Sequence, residues 1–263
     1  MPSRRRPERA LAQLRRHLSP HPTPAASDGA AAAAAAGGKP RLLYFKGTGK
    51  CYGVRLALFA AFGKDGWIDE RISQQGEPGS HPDGVSRGPG DGWRELTVYK
   101  GSLPELTLPD GGTVCQSMAI ARWAARMAGA PLYPDAPDAA LRVDEIMTFQ
   151  EEVMEKAQPV PAPEDVKAFR EMFRSPKGFL GRTAAFLENR AKEDSSGPFF
   201  FGATMTVADL CATGLVKMIT DGEFTHIPPE WMTENFPHLT AMAEATQASQ
   251  LARDYRAAYG ADP

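Results

Sequence analysis

The sequence predicts an α/β chain in two parts, a β/α half followed by an all-helical half. Strand-like runs are confined to the stretch between Arg41 and Val114. Beyond Tyr133-Pro134 the text holds only helical patterns and their breakers. A helix-start signal, Thr206-x-x-Asp209, stands before an apolar run deep in that second half. At 263 residues, 42% of them hydrophobic, the chain can bury a sizeable core and divides into more than one domain.

Residues 1–40 read as a basic, Ala-rich extension that stands apart from the fold. They carry six Arg and one Lys against Glu8 and Asp28, a local balance of +5 in a chain of net charge −2. Arg-rich, poor in acid and without an apolar core, the arm is no secretory signal; it is a disordered extension or an organelle transit peptide. RLLYF then has strand composition, a Gly-rich turn follows, and residues 54–62 have the mixture of a helix. After a break at 63–66, WIDERI reads as a second strand. Residues 73–92 are nearly all turn formers and predict a long exposed loop. Strands at 103–108 and 113–114 flank a turn at Pro109-Asp110-Gly111-Gly112, and QSMAIARWAARMAG is a helix closed by Gly129.

The first domain is thus 41–130 and the second 138–263. The second opens on a helix over 138–158, with Leu141, Ile146, Phe149 and Val153 near one face. PVPAPED breaks the pattern, and 165–190 resumes it with a break at Ser175-Pro176. The Thr206 signal starts the next helix, and FPHLTAMAEATQASQLARDYRAAY holds one or two more.

Composition excludes several functions. The charge balance gives no case for nucleic acid, and no apolar run approaches the roughly 18 residues that span a bilayer. Three distant cysteines, Cys51, Cys115 and Cys211, form no CxxC, so neither a disulfide framework nor a zinc cluster is indicated and a reducing compartment fits best. The histidines show no ligand spacing, and we expect no metal site. The turn GTGK is not a phosphate loop: Tyr44 stands where the first Gly belongs, and Cys51 where Ser or Thr would hold magnesium. Gly47-x-Gly49-x-x-x-Gly53, with Asp69 or Glu70 about 20 residues on, imitates a dinucleotide fingerprint. Its last Gly is one place late, and no repeated βαβ units follow.

Two side chains near that turn carry chemistry. Tyr44 ends a strand facing a helix start; the bland alternative is an aromatic in the core. Cys51 sits at the helix start beside Lys50, where dipole and cation would both lower a thiol pKa. That makes it a candidate thioltransferase nucleophile, or simply a small residue at a helix start.

Five segments, in order, resemble glutathione transferases, most like the sigma class that includes the haematopoietic prostaglandin D synthases. They are LLYF with GKCYGVR, GSLPEL, CQSMAIARWAAR, MTVADL and FPHL, and the resemblance spans about four fifths of the chain. It implies a thioredoxin-like N-terminal domain, an all-α C-terminal domain and a homodimer. It implies glutathione as co-substrate, no metal, and a small hydrophobic electrophile held between the domains, near residues 149–156 and the C-terminal tail. The matching positions make Tyr44 catalytic. Glutathione would be held by Lys50, Trp93, the backbone of Leu103 before a cis Pro104, Gln116 and Ser117. Ser117 is also a good N-cap, which alone would explain it. Where the family has a second basic residue this chain has Thr97. The acidic residue that reaches across the dimer falls on Met147 or Thr148, with Asp144 and Glu151 close by.

The implied activity is transfer of glutathione to electrophiles, a detoxifying cytoplasmic role, or a glutathione-dependent isomerisation through the same thiolate. A binding or scaffold protein without turnover is the alternative from another class, and the Cys51 thioltransferase is the third.

Overall fold

The computed structural model describes residues 38–72, 97, 102–129, 131–157, 165–260 and 263. The 1–40 extension before residue 38, the 73–92 loop and Trp93 lie outside the described residues.

A four-stranded sheet is ordered β2-β1-β3-β4, from β1 (Arg41–Phe45), β2 (Ile68–Ile72), β3 (Glu105–Thr107) and β4 (Thr113–Cys115). β1 and β2 run parallel, and α1 (Tyr52–Phe62) supplies the crossover that parallel strands require. β3 is antiparallel to β1 and to β4. The turn between β3 and β4 is set by Gly111, at φ 88°, and by the Gly112 N–H donating to Asp110 Oδ1 at 2.8 Å. Helix α2 (Ser117–Ala128) leaves β4 and ends at Gly129, φ 84°, as its Gly predicts.

Helices alone follow: α3 (Pro137–Lys156), α4 (Val166–Arg174), α5 (Phe179–Glu193), α6 (Val207–Thr220), α7 (Glu230–Asn235), α8 (Pro237–Gln247) and α9 (Gln250–Tyr259). The break expected at Ser175-Pro176 separates α4 from α5. The expected shared face of α3 is not uniform: Leu141 is 70% exposed, whereas Ile146 and Val153 are buried. Leu141 lies in the second turn of α3, on a face turned away from the core that Ile146 and Val153 enter.

Helix α6 organises the core. It buries every residue from Val207 to Ile219, Asp209, Thr213 and Lys217 among them, as befits a largely apolar helix surrounded by neighbours. It packs against α1, α3 and α8, so the two halves share one hydrophobic core. Its start is the capping box that the sequence shows: Asp209 Oδ2 accepts from the Thr206 N–H at 2.7 Å and from Thr206 Oγ1 at 3.0 Å. Contact with α1 is close enough that a Cβ on Gly53 would lie 2.7 Å from Cys211 Sγ.

Candidate functional site

Strand register gathers the candidate residues at one end of the sheet. Leu43 stands opposite Glu105, and Glu105 opposite Cys115. One step further along each strand puts Pro104 beside Tyr44 and Gln116 beside Pro104. The Leu103-Pro104 peptide is cis. Gln116 holds the unusual φ of 83° immediately before α2, a strained conformation of the kind that collects at functional sites. Tyr44, Leu103, Pro104, Gln116 and Ser117 therefore converge on one sheet end. Trp93, outside the described residues, is not placed.

The turn after β1 is built on a buried cation. Arg55, with a fully buried side chain on α1, donates to Phe45 O at 2.7 Å, to Gly47 O at 2.9 Å and to Asp69 Oδ1 at 3.2 Å. Asp69 belongs to β2, and its other oxygen accepts from Arg71 Nε at 2.7 Å and from the Tyr255 hydroxyl at 3.3 Å. Arg71 also donates to Tyr255 of α9 at 2.6 Å. The C-terminal helix is thereby linked through β2 to the turn that follows Tyr44. From the sequence, Asp69 figures only in the imitation of a dinucleotide fingerprint, and Arg55 does not stand out as a site residue. Its signal was a charged residue in the otherwise apolar stretch VRLALFAAF.

Tyr44 itself is 7% exposed. Its hydroxyl oxygen accepts the Lys50 N–H at 3.0 Å, so its own proton remains free to be donated. Burial pushes the Tyr44 phenol well above its usual pKa, while the Lys50 amide and the Arg55 guanidinium, 5.6 Å from the ring centre, pull the other way. Gly49 passes directly over the hydroxyl at φ +41°, leaving no room for a Cβ. Glu223, from the segment after α6, accepts the Gly49 N–H, and burial raises its pKa. An acidic group of the second half thus reaches the turn.

A second one does so more directly. Lys50 Nζ donates to Glu151 Oε1 at 2.7 Å, and the Ser117 hydroxyl donates to Glu151 Oε2. Lys50 consequently joins the two ends of the site, with its amide on Tyr44 and its ammonium on Glu151. Ser117 is the first residue of α2, and Gln116 holds the capping position without a side-chain cap. The reading of Ser117 as a plain N-cap is thus corrected: it lies one place inside the helix, and its hydroxyl donates to a distant carboxylate. Of the four acidic-position candidates, Met147 is fully buried, the Thr148 hydroxyl donates to its own helix at Asp144 O, and Asp144 accepts from Arg122 at 2.8 Å and Tyr133 at 3.0 Å. Only Glu151 reaches the residues of this site. Phe149 packs on Phe186 at 4.6 Å between ring centres, and the Lys156 ammonium lies 4.0 Å above the Phe179 ring. Both thus engage α5.

Cys51 does not behave as its sequence position suggests. It is fully buried, and burial pushes its thiol far above the ordinary value, aided by the negative charges of Asp69 and Glu151. The expected lowering by the helix start and Lys50 is overturned, because α1 is roofed by α6 and the thiol meets no water. Cys211 is likewise buried and pushed up to about 12. Among the described residues no group of three or more His, Cys, Asp or Glu is arranged to hold a metal ion. Among them also, no helix is long and apolar enough to cross a membrane.

No protein-family model and no curated protein matches the sequence. Solved structures do match the fold. A nematode-specific glutathione transferase of Caenorhabditis elegans superposes with a TM-score of 0.63 at 24% identity, covering 86% of this chain and 99% of its own. A prostaglandin synthase D of Nilaparvata lugens gives 0.62 at 18% identity, covering 86% and 100%. Rat hPGDS in complex with a quinoline gives 0.61 at 18%, covering 82% and 95%. The chain therefore has the glutathione transferase fold: a thioredoxin-like α/β part followed by an all-α part.

Proposed function

We propose that this chain is a glutathione transferase in which Tyr44 stabilises the glutathione thiolate. A free thiol of this kind, with a pKa of about 8.5–9, is mostly protonated at neutral pH, and the thiolate is the nucleophile. Lowering that pKa by about two units takes roughly 3 kcal/mol of preferential stabilisation of the charged form. The observation that carries the reading is the hydrogen bond at the Tyr44 hydroxyl. It accepts from the Lys50 N–H and keeps its proton for a sulfur placed before it. The thiolate then attacks the electrophilic carbon, the C–S bond forms, and the displaced group leaves with its electron pair.

The cis Leu103-Pro104 bond and the Gln116–Ser117 start of α2 lie beside Tyr44, where a bound tripeptide would extend. Leu103 would pair its backbone with the cysteinyl residue like an added strand. Gln116 and Ser117 would take the γ-glutamyl end at a helix start, which favours anions. A homodimer, a hydrophobic electrophile, a cytoplasmic detoxifying role and an isomerase variant of the same chemistry belong to this proposal. The test is calorimetric glutathione binding, with ultraviolet thiolate absorbance followed against pH for wild type and Tyr44→Phe. A thiol pKa well below the free value, present only with Tyr44, is expected. Binding without thiolate formation would sink the enzyme reading.

The alternative, a scaffold of the same fold without turnover, is favoured by one observation: Glu151 already occupies both Ser117 and Lys50. The Cys51 thioltransferase finds no support, since that thiol is buried and its pKa raised.

A further inference from the structure

The pairing of Glu151 with Ser117 and Lys50 goes beyond the glutathione reading, on which its meaning rests. Ser117 is 1% exposed and has a single proton to give, and it gives that proton to Glu151 Oε2. The other carboxylate oxygen takes Lys50 Nζ at 2.7 Å, and the two side chains are 21% and 15% exposed. This contact is held in place by the helix packing. Two turns earlier on α3, Asp144 accepts from Arg122 of α2 at 2.8 Å and from Tyr133 at 3.0 Å. Residues 144 and 151 share a helix face, so the Arg122 bridge fixes the rotation that points Glu151 at the start of α2.

We infer that Glu151 is a specificity-determining residue: an internal carboxylate that competes with the ligand's carboxylate for Ser117 and Lys50. A ligand bringing its own carboxylate to this helix start meets a donor already used and a negative charge in contact distance. Either Glu151 withdraws, or the ligand binds without Ser117. In both cases affinity for a carboxylate ligand is lower than the donor set alone would give. Ligands without an anionic group at that end incur no such loss, so Glu151 biases the site toward them.

The experiment compares wild type, Glu151→Gln and Glu151→Ala. Glutathione affinity is read by calorimetry, and sulfate binding by the shift in melting temperature. Removal of the competitor is expected to tighten glutathione binding roughly tenfold or more in Glu151→Ala, the worth of one charge-assisted hydrogen bond. Glu151→Gln, which keeps the shape and loses the charge, should fall between. Sulfate at low millimolar concentration should raise the melting temperature of Glu151→Ala by more than that of wild type, the difference reporting the site apart from the general salting-out effect. If no variant binds glutathione while sulfate still stabilises Glu151→Ala more than wild type, the internal occupant stands and the glutathione reading falls. If glutathione binds wild type as tightly as either variant, or more tightly, the inference is overturned: Glu151 would then be holding the ligand's ammonium. Should Glu151→Ala fail to fold, Glu151→Gln carries the same comparison.

Discussion

Replacing Arg55 with Met tests whether the turn after β1 is held by one buried cation. The substitution keeps an apolar stem of similar length in a fully buried position and removes the guanidinium. Three hydrogen bonds go with it, those to Phe45 O, Gly47 O and Asp69 Oδ1, besides the contact with the Tyr44 ring. They do not weigh equally. Gly47 is exposed, so its carbonyl regains water at little cost. Asp69 keeps Arg71 at 2.7 Å and Tyr255 at 3.3 Å, so its charge is not abandoned. Phe45 O loses a charged donor in a half-buried place. A broken buried pair typically costs about 3–5 kcal/mol, and the remaining partners of Asp69 put this case at the lower end, about 3 kcal/mol. With a urea m-value of about 2–3 kcal/mol per molar, the unfolding midpoint should fall by about 1 M or more. Glutathione binding should weaken in parallel, because the turn that carries the Lys50 amide loses its anchor. Equilibrium urea unfolding measures the first and calorimetry the second. A loss below about 1 kcal/mol with unchanged binding would refute the claim that Arg55 holds the turn.

Gly49→Ala places a Cβ against the Tyr44 hydroxyl at a φ of +41°; we expect a loss of about 1–3 kcal/mol and of Tyr44-dependent thiolate formation, read by thermal unfolding and ultraviolet titration. Asp209 is fully buried, and burial lifts its pKa to about 6 although it accepts from Phe200 and Thr206. Its folded pKa exceeds the unfolded value, so the native state binds more protons between about pH 4 and pH 6 and stability falls as pH rises through that window. Over it, wild type should lose on the order of 3 kcal/mol relative to Asp209→Asn, and a pH-independent difference would contradict the burial argument. Native-state labelling with a maleimide should modify Cys115, which is partly exposed, and leave the buried Cys51 and Cys211 untouched until unfolding. Rapid labelling of Cys51 would restore the thioltransferase reading.

Much of this arrangement was readable from the sequence because it depends on local patterns. The strand-turn-helix around Tyr44, the helix after Gln116, and the Thr206–Asp209 cap each lie within a few residues of their own signal. Cys51 shows where local reading fails. Its position at a helix start and beside Lys50 is a true local feature, but whether water reaches the thiol is decided by α6, some 160 residues away in sequence. Burial then outweighs the dipole. Glu151 shows the complementary failure. Several acids on α3 are equivalent in sequence, and only the rotation of that helix, fixed by Asp144 with Arg122 and Tyr133, selects the one that reaches Ser117. Arg55 had a detectable signal, a lone charge in an apolar helix. Its three partners, however, come from the end of β1, the turn after it and β2.

A tyrosine can activate a thiol in two ways, as a tyrosinate that removes the proton or as a phenol that donates a hydrogen bond to the thiolate. The charges around Tyr44 choose between them. Burial disfavours the tyrosinate most strongly, and the carboxylate of Glu151 disfavours it further. Arg55 and the Lys50 amide oppose this without reversing it. The phenol therefore stays protonated throughout the neutral range, and the base route is closed to it. The donor route is open, because the hydroxyl oxygen accepts the Lys50 N–H at 3.0 Å and retains its own proton to give. If Tyr44 activates a thiol as proposed, thiolate formation should accordingly track the pKa of the bound thiol alone. No second titration belonging to Tyr44 should appear below the pH at which ordinary tyrosines ionise, about 10. A difference titration of wild type against Tyr44→Phe in the absence of glutathione, followed at the tyrosinate absorbance, makes the comparison. A tyrosinate signal lost in Tyr44→Phe and centred below about pH 9 would show that the hydroxyl is acidic, and the donor mechanism would have to be abandoned for the base one.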